Sequence, residues 1–174
     1  MQRVLLIGSE TMSRIVDWED RSTAILFGDG AGAVVLEQGE GPGRLLGWDL
    51  GSDGSLRHIL HADIGGTIEM DGPEVFRRAV RIMVDSAERA LDRAGLTVAD
   101  VNLFVPHQAN TRIIASARAK LGIAEEHTVD ILATTGNTSA ASIPMALADA
   151  AEAGMASSGV QVQSSTRSRS APST

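Results

Sequence analysis

Two hydrophobic rhythms alternate along the chain. Short, largely apolar runs occur at residues 3–8, 22–27, 34–37, 44–50, 101–105 and 129–133; their length and β-branched content predict buried strands. Between Gly72-Pro73-Glu74 and Gly95 the pattern changes. Val75, Phe76, Ala79, Val80, Met83, Ala87, Ala90, Leu91 and Ala94 recur at helical spacing. Proline and an acid open this segment and glycine closes it, which predicts one long helix with a left-handed cap. Further helices are predicted from about Asn110 to Leu121, with Gly122 behind it, and from about Ser139 to Ala153. Gly28-Asp29-Gly30-Ala31-Gly32-Ala33 separates two apolar runs and reads as strand, glycine turn, strand. A dinucleotide-binding loop would need a helix after its glycines, and here a β-branched run follows, so the glycines are assigned to close backbone packing. Residues 38–43 form a loop, and a Gly-rich stretch continues to about Asp71.

After residue 154 the rhythm gives way to a Ser-rich polar tail, 155–174, expected to be disordered because it offers too little apolar surface to offset its ordering entropy. With 174 residues of which 43% are hydrophobic, the remainder is long and apolar enough for a packed core. Only 3% are aromatic and 18 are glycine, which favours tight helix–sheet packing on small aliphatic side chains. A net charge of −7 disfavours a general nucleic-acid surface but leaves room for local basic patches. No apolar run is long enough to span a membrane, and the start lacks a signal-peptide core, so a soluble, cytoplasmic protein is expected. The chain has no cysteine, which excludes disulfides, thiolate metal sites and a cysteine nucleophile within it. His58 and His61 have no third ligand in a suitable context, and no metal site is expected.

The chemistry-bearing residues stand at element junctions. His107 follows the apolar run 101–105 in Val105-Pro106-His107-Gln108-Ala109-Asn110, and Asn137 precedes the third helix in Gly136-Asn137-Thr138-Ser139-Ala140-Ala141-Ser142. Strand-end loops are favoured places for chemistry in α/β folds. Taken alone, His107 could be a hydrogen-bonded histidine at a strand end and Asn137 a left-handed turn residue. Arg77, Arg78 and Arg81 could be a solvated helix face, and Arg21 a loop charge paired with Asp17 or Asp20.

Four segments in order, DRSTAILFGDGAGAVVLE, MDGPEVFRRAV, VPHQANTRII and GNTSAASIP, closely resemble β-ketoacyl-acyl-carrier-protein synthase III. That resemblance implies an α/β, thiolase-like fold of αβαβα layers, built from two similar halves. Residues 1–37 would be the end of the first half, 38–154 most of the second, and 155–174 a tail unlike the family's glycine-rich ending. A partial chain is therefore expected, from a truncation, a frameshift or an incompletely delimited gene, without the cysteine-bearing part. The family function is decarboxylating Claisen condensation of an acyl-CoA primer with malonyl-acyl-carrier protein, initiating fatty acid synthesis through a Cys–His–Asn triad.

By motif match, His107 and Asn137 resemble the last two triad members, two N–H donors able to stabilise an enolate on one thioester oxygen. Phe27, and with it Met70 and Gly72, resemble positions near the acyl pocket. Arg21 resembles an arginine stacked on the CoA adenine, and Asn110 a residue contacting the substrate arm. Arg112, with Arg77 and Arg78, resembles the basic residues that dock acyl carrier protein. The implied partners are acyl carrier protein, acyl-CoA as substrate and a second subunit as homodimer, with no nucleic acid, no membrane and no cofactor beyond the coenzyme A thioester. Without a cysteine the chain alone is expected to be inactive. The alternatives are a non-catalytic binding subunit or pseudogene product pairing with a complete homologue, and a related thiolase-fold synthase of specialised metabolism.

Overall fold

A computed structural model describes residues 2–39 and 43–155 and the backbone of 162–163. It is a mixed α/β structure in which β1 (Arg3–Thr11) and β2 (Asp29–Glu37) form a long antiparallel pair, in register from Arg3 opposite Glu37 to Thr11 opposite Asp29. Between them lies a helical turn, α1 (Arg21–Ala24), capped by the Asp20 side chain on the Ser22 N–H. The run 22–27 is thus not a strand. The glycines are not a turn either, because Gly30 and Gly32 lie within β2. A Cβ on Gly32 would come within 2.9 Å of the Met145 backbone nitrogen, and one on Gly8 of β1 within 2.2 Å of the Ala140 carbonyl oxygen. Close backbone packing is therefore their role, as the sequence suggested.

A small hairpin follows, β3 (Leu60–Ala62) with β4 (Ile68–Met70). The long helix α2 runs Gly72–Ala94, with Asp71 capping the Glu74 N–H and Gly95 at φ 67° as the left-handed terminator. Residues 44–50, predicted as a strand, do not pair with any described strand. They lie along α2 instead. Asp49 accepts from Arg89 Nη2 at 2.8 Å and from Arg93 Nη1 at 3.2 Å, and Arg93 stacks over the Trp48 ring. Gly47 allows this approach, since a Cβ there would meet the Ala90 carbonyl at 2.1 Å.

Helix α3 spans Thr111–Leu121, with Asn110 as N-cap and Gly122 left-handed at φ 75°. The strands predicted at 101–105 and 129–133 are corrected to a single parallel bridge, Phe104 with Thr128, and residues 132–135 turn into the short helix α4 (Leu132–Thr135). Their apolar side chains still enter the core, which unites Val129, Ile131, Ala141, Met145, Ala146 and Ala150 with Leu103 and Val105. Burial was legible there and pairing was not. Helix α5 (Ser142–Glu152) begins after a 3-10 turn and packs on β2.

The expected disorder of the tail is corrected at one point: β5 (Val162–Gln163) pairs antiparallel with β2. Residues 156–161 and 164–174 of that tail lie outside the described residues. The first apolar run is also less buried than predicted. Leu5, Ile7 and Val35 share one face of the β1–β2 pair and are 60%, 62% and 54% exposed.

Candidate functional site

Pro106 and Gln108 are both buried and bracket His107. The Gln108 side chain is fully enclosed and tied to three backbone groups. Its Nε2 donates to the carbonyls of Pro106 at 2.8 Å and Val129 at 3.1 Å, and its Oε1 accepts from the Ile131 N–H at 2.9 Å. One amide thus joins the 105–109 loop to the 129–131 segment. His107, half-buried, places Nδ1 2.6 Å from the Ser142 hydroxyl at the start of α5.

Asn137 lies five residues before Ser142 on the same approach to α5. Its N–H donates to the Leu26 carbonyl at 2.8 Å and its carbonyl accepts from Gly28 at 3.0 Å, so Phe27 and Asn137 form a parallel bridge. The left-handed geometry proposed for Asn137 is found at its neighbours instead, Gly136 at φ 64° and Ser139 at φ 50°. The Asn137 Oδ1 accepts from the Ser139 N–H at 2.9 Å. A backbone N–H can meet only the oxygen end of a carboxamide, which fixes the orientation of the amide and leaves its NH2 end without a hydrogen bond among the described residues. His107 and Asn137 are therefore both anchored at the N-terminal junction of α5, and Phe27 is stitched beside Asn137.

Other candidates are placed differently. Asn110 spends its side-chain oxygen on the Arg112 N–H at 2.9 Å as a helix cap. Arg112 lies over the Phe76 ring at 5.7 Å, bringing the start of α3 beside the first turns of α2. Arg77 and Arg78 both pair with Glu74, Arg78 at 2.6 Å, so their charge is partly satisfied within the helix. Gly72 starts α2 next to Met70, which lines an open cavity with Asp17, Asp20, His58, Glu69 and Asp71. His107 and Asn137 are not among that cavity's lining residues. Its carboxylates make it a poor seat for phosphate groups. Arg21 begins α1 beside it, and the expected ion pair with Asp17 or Asp20 is absent among the described residues. Asp20 instead accepts from Ser22 and Thr23, which holds its carboxyl below the usual range. His58 donates from Nδ1 to the Ser55 carbonyl at 3.0 Å, and no group of three or more metal-capable side chains occurs among the described residues. No helix there is long and apolar enough to cross a membrane.

Burial pushes the His107 imidazole below its ordinary pKa of 6.5. The folded state therefore disfavours the proton that the unfolded chain accepts. Stability is expected to fall as pH drops through the unfolded value and to recover as it rises. Denaturant titrations between about pH 5 and 8 should show a shallower dependence in His107→Gln; an unchanged slope would mean that His107 is not desolvated.

Two residues that carry this arrangement, Gln108 and Ser142, were not singled out from sequence. Gln108 sat within the quoted motif, but nothing local marked it as a buried cross-link. The Ser142 contact spans 35 positions.

The family profile described as 3-oxoacyl-[acyl-carrier-protein] synthase III matches residues 1–54, and its C-terminal counterpart matches residues 91–166. The chain belongs to the 3-oxoacyl-[acyl-carrier-protein] synthase III family. The second match extends to residue 166, into the stretch set apart above as unlike the family. A β-ketoacyl-[acyl-carrier-protein] synthase III from Dinoroseobacter shibae is 54% identical over 157 residues, covering 83% of this chain and 48% of that protein. The crystal structure of the synthase III from Aquifex aeolicus superposes with a TM-score of 0.88 at 46% identity, covering 91% of this chain and 52% of that one. The priming β-ketosynthase of the R1128 polyketide pathway gives 0.78 at 40% identity, over 88% and 50%. The α/β, thiolase-like fold class follows from these synthase III neighbours. The chain spans about half the length of the curated relatives it matches.

Proposed function

We propose that this chain is the part of a β-ketoacyl-acyl-carrier-protein synthase III that supplies the histidine and asparagine of the condensing site. The complete enzyme would take an acyl group from acyl-CoA onto a cysteine and condense it with malonyl-acyl-carrier protein as CO2 leaves. Within this reading His107 Nε2 and Asn137 Nδ2 donate to the malonyl thioester oxygen and stabilise the enolate. What supports it above all is that both donors are anchored at one junction, His107 on Ser142 and Asn137 on Ser139, with their outer N–H groups unbonded among the described residues. Phe27 would face the acyl group, with Met70 and Gly72 farther from the donors. Arg21 would meet the CoA adenine and Asn110 the substrate arm. Arg112, with Arg77 and Arg78 beside it, would dock the acidic carrier protein by local attraction despite the negative net charge. No resident cofactor is needed, and a cytoplasmic homodimer is the corresponding assembly. The end of the first thiolase-like half would lie in residues 1–37 and most of the second in 38–154.

The chain alone contains no cysteine, so no thioester adduct should appear by mass after incubation with acyl-CoA. The decisive test replaces the matching half of the Dinoroseobacter shibae synthase with residues 1–153 of this chain. Condensation should be retained, and His107→Ala or Asn137→Ala should each lower kcat by about 10²–10³-fold, the usual loss for one oxyanion donor. A folded chimera that condenses equally well with either alanine would sink the reading. A second reading is a binding subunit for a complete homologue. Co-purification with such a homologue, with no change in its turnover on His107→Ala, would support that instead.

A further inference from the structure

We propose that Ser142 is a positioning residue that sets the His107 tautomer, its hydroxyl donating to Nδ1 so that the ring proton resides on Nε2. The geometry leaves little choice of direction. Ser142 is 1% exposed, and its Oγ lies 2.6 Å from Nδ1 with no other hydrogen bond to that oxygen among the described residues. If Nδ1 carried the proton and donated, the serine's own O–H would be buried without an acceptor, the more costly arrangement. The usual local outlet of a helical serine, the carbonyl one turn back, is not used: among the described residues the Thr138 carbonyl accepts from the Ala141 N–H and not from the Ser142 hydroxyl. With Ser142 as donor, the serine O–H and the ring Nδ1 satisfy each other, and the ring proton is left on Nε2.

The backbone of His107 is held separately, by buried Pro106 in front and the Gln108 cross-link behind. Gln108 therefore places the ring, and Ser142 decides which nitrogen is the donor. Desolvation, which keeps the imidazole neutral, agrees with a ring that needs one acceptor nitrogen. The same junction orients Asn137 through Ser139, so a single turn of backbone sets the polarity of both donors. That the Nε2 proton serves a thioester oxygen rests on the functional reading above; the tautomer does not.

Magic-angle-spinning NMR of the full chain labelled with 15N-histidine reads the tautomer directly, in any state of association and with no thioester present. The His107 resonances are those lost in His107→Gln. At neutral to mildly alkaline pH they should report an unprotonated Nδ1 and a protonated Nε2. In Ser142→Ala they should move toward the position averaged over both tautomers, and Ser142→Thr should restore the original spectrum. A protonated Nδ1 in the unsubstituted chain overturns the proposal whatever the variants do, as does an alanine variant with an unchanged His107 spectrum. An inactive chimera together with the expected tautomer would remove the functional reading and leave the role of Ser142 intact.

Discussion

Gln108→Leu is expected to lower the unfolding free energy by about 3–5 kcal/mol. Leucine is close in volume, so the loss is not one of packing. It strips partners from the Pro106 and Val129 carbonyls and the Ile131 N–H, three groups around a fully enclosed side chain. Each unsatisfied buried group costs about 1–3 kcal/mol, and water has no route to replace the amide. Gln108→Glu should do nearly as badly, because it keeps the acceptor for Ile131 but turns the amide donor into a buried charge facing two carbonyls. Denaturant unfolding followed by circular dichroism, on a soluble background, measures this. A loss below about 1 kcal/mol would mean that the loop and the 129–131 segment are held by something else.

The chain should also self-associate at micromolar concentrations, and Leu5→Lys with Ile7→Lys should abolish that. Leu5, Ile7 and Val35 present one apolar face that the described residues leave open, and the outer edge of β1 pairs with no strand among them. Covering side chains of this kind is worth about 1.5–3 kcal/mol each, so losing two of them should raise the dissociation constant by about 10²-fold or more. Sedimentation velocity distinguishes the two proteins, with helix content unchanged as the control. A monomeric parent chain with a cooperative melt would show that these faces are tolerated in water. The open face also explains why the predicted burial of the first run was not found: the pattern marks a strand that wants both faces covered, whatever supplies the cover.

The sequence was most legible where the signals are local. Helix α2 announced both ends through Pro73 and Gly95, and α3 through Asn110 and Gly122, because capping chemistry acts within a turn. Runs 44–50, 101–105 and 129–133 were misjudged for the opposite reason. An apolar run encodes burial, but a strand also needs a neighbour in register, which no short window contains. The glycines of β2 misled in a third way. Their missing side chains suggested a turn, whereas they make room for α5 against an extended backbone. In the site, His107 and Asn137 could be found by motif, but Ser142 and Gln108 act through contacts 21 to 35 positions away and carry no periodic mark.

The backbone stitch between Phe27 and Asn137 bears on how such a site could change over time or under engineering. Two hydrogen bonds, Asn137 to Leu26 and Gly28 to Asn137, hold the main chain on either side of Phe27 while leaving its ring out of the bonding. A residue of another size at position 27 could therefore reshape its surroundings without shifting the amide next door. Insertions or deletions in 26–28 would move both together. Diversification at this place is thus channelled into side-chain identity, with loop length held constant.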